Sequence, residues 1–386
     1  MKQYILIFLA AVVFTAVRSN AQKGMPPKDI VNASVTTNYA QHEDFKESML
    51  SRLNTAPGYT VTIAATGLGK PRMMLVTNDG ALYVTRRDQG DVLLLTDKDK
   101  DGRFDDMKPV VAGFKGVHGI AVQGKFLYLC SNRELKRYTI NPDNTLKDTM
   151  AIFTDLPDGG QHGNRTMAFG PDGKLYLSVG SDCNDCNESN PEHATMLVIN
   201  LDSNSRKIYA RGLRNTIGFD WHPQTKELWG ADNGTDWRGD EIPPEELNKI
   251  IKDGNYGWPL IFGKQQVDPT REDPAGSTKA AYAKTTQPSV MEFPAHSAPI
   301  NLKFLGNDAL VSWHGSWNKT NPDGFKVQRI RFLNGVPTKA EDFLTGFLAR
   351  DGRSRFGRPA GIAVSGNGSV YVSDDANGVI YKISPK

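Results

Sequence analysis

The chain has 386 residues, of which 23% are charged and 39% hydrophobic, with a mean hydropathy of −0.45; this composition is globular and excludes a disordered chain. The 46 basic and 43 acidic residues leave a net charge of +3, too balanced for a protein built to hold nucleic acid. Three cysteines cannot make a disulfide scaffold, whereas 37 glycines and 22 prolines ask for many turns.

In chain order, Lys2 comes first, then an almost unbroken apolar run from Tyr4 to Val17, then Ser19-Asn20-Ala21 before Gln22. A basic start, a short apolar run and small residues at −3 and −1 read as a secretory signal peptide. The run is shorter than the ~20 residues a membrane span needs. The reading predicts a cleaved segment 1–21, no membrane span in the mature chain and a periplasmic or secreted protein. Cleavage would remove Lys2 and Arg18 and no acid, taking the net charge to +1. Residues 22–56 read as an N-terminal lead-in.

From residue 57 to 386 one unit recurs: a polar or glycine turn, then a short strand with an aromatic at its centre. The copies are Asp79–Val84, Gly124–Leu129, Asp172–Leu177, Thr225–Gly230, a weaker Gly306–Val311, and Asn367–Val372. Their central residues are spaced by 45, 48, 53, 81 and 61 positions. A strand precedes most copies, as in Met73–Val76, Gly119–Val122, Thr166–Phe169 and Gly361–Val364. Another follows most of them, as in Val92–Leu95, Leu135–Tyr138, Val327–Ile330 and Val379–Lys382. A period near 50 with hairpin turns predicts an all-β fold, a six-bladed β-propeller of four-stranded antiparallel blades, ~55 residues each. Tyr59–Ile63 is placed to close the ring beside the last blade. Pro243–Asp253 is the best helical candidate. The long interval from Asn233 to Ala309 should carry a loop insertion, and chemistry is expected on loops at one end of the channel.

Several segments carry chemistry of their own. Asp97-Lys98-Asp99-Lys100-Asp101-Gly102 copies the first half of an EF-hand loop. Position 12 is Lys108 rather than Glu, so the segment is either a structural calcium loop or an Asp-Gly turn. Cys183-Asn184-Asp185-Cys186 is a CxxC followed by Asn187; haem attachment would need His there, and a zinc ribbon a second CxxC. In an exported protein a local disulfide is the reading that remains. Cys130 reads as a buried free thiol within a strand. His162 stands in a glycine-rich loop before a strand, and an imidazole there suits proton abstraction at neutral pH.

Three longer stretches fit one pattern: Gly159–Gly173 with its Gly-Gly-Gln-His-Gly-Asn-Arg start; Arg211–Gly218 running through Ala231–Gly234 and Asp240–Asn248 to Gly254–Pro259; and His296–Pro299 with His314–Asn318. Together they resemble the glucose/sorbosone dehydrogenase family, in its L-sorbosone-dehydrogenase-like branch. That family consists of six-bladed propeller quinoproteins using pyrroloquinoline quinone (PQQ) and calcium. The likeness runs from about Thr55 to Ile383. It implies an enzyme that oxidises a sugar, aldose or related polyol and passes electrons to an external cytochrome or quinone.

The resemblance also implies residue roles. His162 would be the general base. Arg214 and Asn215 would serve the carboxylates and the reduced oxygen of PQQ, Arg358 a PQQ carboxylate, and Lys326 and Trp317 further cofactor contacts. His118, Arg165 and Asp182 would lie on the substrate side, although His118 and Arg165 also read as structural residues. Carbonyls of Gly234 and Thr235 would bind the calcium that holds PQQ; Asp97, Asp99 and Asp101 would hold a second ion if their loop binds one. Two other readings stay open: a propeller that has lost PQQ and binds carbohydrate or protein, and a calcium-dependent lactonase-type hydrolase.

Overall fold

The computed structural model describes residues 37–158 and 160–386; segment 1–21, read above as a signal peptide, lies outside them. Six sheets follow one another along the chain, each adding its strands from the axis outward. The innermost strands are Met74–Val76, Gly119–Gln123, Arg165–Phe169, Thr216–Trp221, Pro299–Leu305 and Pro359–Val364. The second strands are the recurring unit of the sequence: Leu82–Arg86, Phe126–Cys130, Leu175–Val179, Leu228–Asp232, Asp308–Trp313 and Val370–Asp374. The fold is the six-bladed propeller the repeat predicts. The ring closes where Tyr59–Ala65 pairs antiparallel with Val379–Pro385 as the outer strand of blade six.

Alternation along the second strand explains why the repeat has a bulky centre. Neighbouring side chains leave a strand on opposite faces, so each blade feeds two interfaces. Tyr83 packs with Leu127, Leu129 and Tyr138 of blade two, while Leu82 and Val84 pack with Ala363 and Tyr371 of blade six. Tyr176 likewise faces Phe219 and Leu228, while Leu175 and Leu177 face Tyr128 and Cys130. The core is therefore six apolar layers between blades.

Two details depart from the expectation. Glu245–Ile250, inside the segment read as helical, is the third strand of blade four and pairs antiparallel with Leu228–Asp232. The ladder decides here, and the acids have partners a helix would not offer: Glu245 accepts from the backbone N–H groups of Gly234 and Ala298, at 2.8 and 2.9 Å. Blades three and five also gain a fifth strand, Gly254–Asn255 and Asn54–Thr55 respectively. Gln41–His42, also within the lead-in, pairs with Ser354–Arg355.

The expected insertion spans residues 251–290. It holds a small hairpin, Ile261–Phe262 with Gln266–Val267, and one short helix, Lys279–Ala283, N-capped by the Thr278 hydroxyl. Among the described residues no helix is long and apolar enough to cross a membrane.

Candidate active site

Every innermost strand starts at the same end of the ring, so the loops entering those strands and the turns after the second strands converge there. Arg72, His118, His162, Asn215, Ala298 and Arg358 all stand within a few residues of an innermost strand's start. That end is the mouth of the channel. The Asp97–Asp106 loop joins the third and fourth strands of blade one and so lies at the opposite end.

His162 is half-buried, and its proton can be placed. Nδ1 lies 3.0 Å from the Ser181 carbonyl and 2.8 Å from Ser181 Oγ. Ser181 Oγ spends its own proton on the Cys183 carbonyl, at 2.7 Å. Both neighbours of Nδ1 are then acceptors, so Nδ1 carries the ring proton and Nε2 is a bare lone pair. Burial, reinforced by Arg214, lowers the imidazole pKa to about 3, which keeps the ring neutral at ordinary pH.

Gly180 brings His162 and Asn215 together. A methyl group on Gly180 would sit 2.6 Å from His162 Cβ and 2.8 Å from Asn215 Oδ1. The Asn215 backbone is fixed by Asp232, whose two carboxylate oxygens accept from the N–H groups of Arg214 and Asn215 and from the Thr216 hydroxyl, at 2.7 to 3.0 Å. The Asn215 side-chain amide makes no hydrogen bond among the described residues.

Arg214 reaches the mouth but is largely committed. Nε and Nη2 donate to the carbonyl and Oδ1 of Asn184 at 3.0 and 2.8 Å, Nη1 to the Asn233 carbonyl at 3.2 Å, and Nη2 also to Asp236 at 3.1 Å. One Nη1 hydrogen is left for anything outside the protein. Next to it, Gly234 and Thr235 present carbonyl oxygens that accept no hydrogen bond among the described residues, while the Gly234 N–H is held by Glu245 and the Thr235 hydroxyl accepts from Trp258 Nε1 at 3.2 Å.

The opposite wall, from blades five, six and one, encloses a cavity of about 380 Å³ lined by Lys70, Arg72, Arg87, Arg355 and Arg358, with His314, Asp88 and Asp375. Arg358 donates to the carbonyls of His314 and Gly315 at 3.0 and 2.9 Å, and its backbone is held by Asp374. Burial lowers its pKa only to about 10, so it stays charged. Asp375 pairs with Arg72 at 2.5 Å and with His314 Nε2 at 2.8 Å. Burial and Arg358 hold His314 neutral, with a pKa lowered to about 4. Five cations against two carboxylates leave the cavity strongly positive.

Other predicted residues fall elsewhere. Arg165 is fully buried and gives its guanidinium to the carbonyls of His162 at 2.8 Å and Pro157 at 2.6 Å, so it shapes the His162 loop from behind instead of facing substrate. His118 is also fully buried, with Nδ1 3.1 Å from the Arg165 carbonyl. Lys326 begins the third strand of blade five at the mouth end, with its ammonium paired to Asp342 of the blade's outer strand at 3.1 Å. Trp317 stacks edge-on against Trp237, with ring centroids 5.0 Å apart, at the rim. Asp182 accepts from the Gln161 N–H through its carbonyl and lies 3.8 Å from His193. Cys183 and Cys186 form a disulfide and Cys130 is a buried free thiol.

The Asp97, Asp99 and Asp101 carboxylates gather within 4.8 Å of one another, and Gly102 takes the left-handed φ of +94° that the turn requires. This loop is remote from the mouth. A cavity of about 700 Å³ between blades one and two also lies at that far end and brings together no base and no cation cluster.

Sequence reasoning missed Gly180, Ser181, Asn184, Asp232, Arg72 and Asp375. The one signal available was their position, since each ends or follows a recurring second strand or precedes an innermost one.

Comparison with known proteins accords with this geometry. A family model described as TrAA12-like matches residues 53–386, and the chain belongs to that family. A pyrroloquinoline quinone-dependent pyranose dehydrogenase of Coprinopsis cinerea is 24% identical, over 86% of this chain and 54% of its own. A pyrroloquinoline quinone-dependent sugar dehydrogenase of Hypocrea jecorina is also 24% identical, over 84% of this chain and 88% of its own. An uncharacterized protein of Borreliella burgdorferi is 34% identical, over 61% of this chain and 64% of its own. The chain thus spans between half and two thirds of the length of the first and last of these. Among solved structures, a calcium structure of a Trichoderma reesei family AA12 enzyme superposes with a TM-score of 0.78 at 22% identity, over 92% of this chain and 99% of that one. The holo PQQ domain of the Coprinopsis cinerea pyranose dehydrogenase gives 0.75 at 22%, over 91% and 100%. At such identities the superpositions establish the shared fold.

Proposed function

We propose that the protein is an exported PQQ- and calcium-dependent dehydrogenase that oxidises a sugar, aldose or related polyol. The observation that carries the reading is a neutral His162 with a bare Nε2, held beside Asn215 and facing a wall of cations. The names of the relatives, PQQ-dependent pyranose and sugar dehydrogenases, support it.

The donor set suits the cofactor. PQQ is a tricarboxylate, and the cationic cavity offers Arg72, Arg87, Arg355 and Arg358 to it. Arg358 and Asn215 would contact the cofactor, with Arg214 giving its single spare hydrogen. Calcium takes oxygen ligands, and the unused carbonyls of Gly234 and Thr235 are of that kind. Bound PQQ would supply the ortho-quinone that accepts hydride from the substrate carbon.

The chain's own residues do the rest. His162 Nε2 accepts the proton of the substrate hydroxyl as its carbon is oxidised. Nδ1–H stays on Ser181, which fixes the ring and stabilises the positive charge it acquires. The Asn215 amide is placed to donate to developing negative charge in the mouth. Electrons leave to an external cytochrome or quinone.

A hydrolase would need carboxylates free to ligate a metal in the channel. Asp232, Asp236, Asp374 and Asp375 are instead each engaged by backbone N–H groups, arginines or amides. The test is a titration of the protein with PQQ and Ca²⁺, followed by dye reduction with a panel of sugars. A shift in PQQ absorbance and sugar-dependent dye reduction are expected; the absence of both would sink the reading.

A further inference from the structure

The four-residue loop Cys183–Cys186 touches both halves of the site. Its first residue gives the carbonyl that takes the Ser181 hydroxyl proton and so leaves Ser181 Oγ, beside the Ser181 carbonyl, as a second acceptor for the Nδ1 proton of His162. Its second residue, Asn184, turns its carbonyl and its side-chain amide inward. The Asn184 carbonyl and Oδ1 accept from Arg214 at 3.0 and 2.8 Å; Oδ1 also accepts from the Asp236 N–H at 2.9 Å, and Nδ2 donates to the Asp236 carbonyl at 3.2 Å. Asp236 directly follows the Gly234-Thr235 carbonyls. The third residue, Asp185, is anchored outward: it pairs with Arg238, a buried guanidinium that also holds Asp268 of the insertion at 3.2 Å. The disulfide joins the two ends of this loop.

We propose that the disulfide-closed loop is the positioning element of the site: Ser181 and the Cys183 carbonyl set the tautomer of the base, while Asn184 sets Arg214 and the 234–236 backbone. The inference rests on the dehydrogenase reading for the roles of those groups, but not for the contacts themselves. An open loop of four residues samples many conformations, and cyclisation removes most of them. Two hydrogen-bond systems that must agree in position are thereby tied to one rigid ring. Ser181 and Asn184 are positioning residues, since each acts through another side chain.

Two readouts test this. The first needs no cofactor: ¹⁵N chemical shifts of the His162 ring in the protein as isolated should show the proton on Nδ1 alone. Cys183→Ser/Cys186→Ser should shift the ring toward a mixture of tautomers, whereas Ser181→Ala, which keeps the main-chain carbonyl beside Nδ1, should leave the proton there and remove only its second acceptor. The second is PQQ affinity. Asn184→Ala, with its disulfide intact, should raise the PQQ dissociation constant about tenfold; Ser181→Ala should instead lower turnover at saturating PQQ by about tenfold. The double cysteine variant should show both effects together. An unchanged His162 tautomer and an unchanged PQQ dissociation constant in the double cysteine variant would overturn the proposal, as would an Asn184→Ala protein that binds PQQ like wild type. If wild type binds no PQQ, the dehydrogenase reading fails, while the tautomer measurement still decides whether the loop sets the base.

Discussion

The two ends of the propeller hold cavities of equal volume, about 380 Å³ each, with opposite linings. The far cavity is walled by innermost strands: Met73, Ile120, Met167, Phe304 and Ile362, with Asp220 and Lys303 as its only charges, 4.0 Å apart. The cavity at the mouth is walled by loops and carries five cations. Strand walls must satisfy the ladder and the core, so their side chains are apolar or self-paired. Loop walls are free of both demands. Volume therefore does not mark the site in this fold; unbalanced charge across the mouth from a bare base does.

The comparison can be tested from the mouth outward. The largest effect belongs to His162→Asn, which should cut turnover by about 10²–10⁴-fold, the usual worth of a general base, while PQQ absorbance shifts persist; turnover within tenfold of wild type would remove His162 from its role. Arg358→Gln should raise the PQQ dissociation constant by about 10–100-fold, the range of a hydrogen bond to a charged group, as read by titration. Gly180→Ala should lower kcat/KM by roughly tenfold, because the new methyl displaces His162, Asn215 or both, and a misplaced base loses near-attack geometry. The pH profile should sharpen the case for the base. His162 serves only when neutral, and its pKa is lowered to about 3; kcat/KM should show no His162 inflection near 6.5, the ring protonating only far below it. An inflection near 6.5 that vanishes in His162→Asn would show a solvated imidazole instead. At the far cavity, Lys303→Met should leave kcat/KM and PQQ affinity within about twofold, as for surface changes remote from any special feature.

The repeat was legible because each copy states its own turn and its own bulky centre locally. Tyr83, Tyr128, Tyr176, Trp229 and Tyr371 announce themselves without reference to the rest of the chain. Glu245–Ile250 did not, because two buried carboxylates look helical until the loops they serve are present. The site was legible where it rests on a motif, as with His162 and Asn215. It was not where the question is what a cation has already been spent on. Arg165, Arg214 and Arg358 look alike in sequence. The first gives itself to the main chain, the second to Asn184 and Asp236, and the third keeps donors open to the mouth. Gly180 and Asn184 are important through atoms far away in sequence, and a single chain read alone holds no sign of that.

The strand that closes the ring has a further consequence. Thr62 and Lys382, neighbours across it, are 320 positions apart. The first four strands of blades one to five arrive in chain order as they are made, but blade six must wait for both ends of the chain. Contacts of such separation are slow to form, and until then Tyr59–Ala65 and the edge it should cover are open to the wrong partners. The molecule thus spends its synthesis as an unclosed arc, and a ribosome must pass residue 385 before the last edge is hidden.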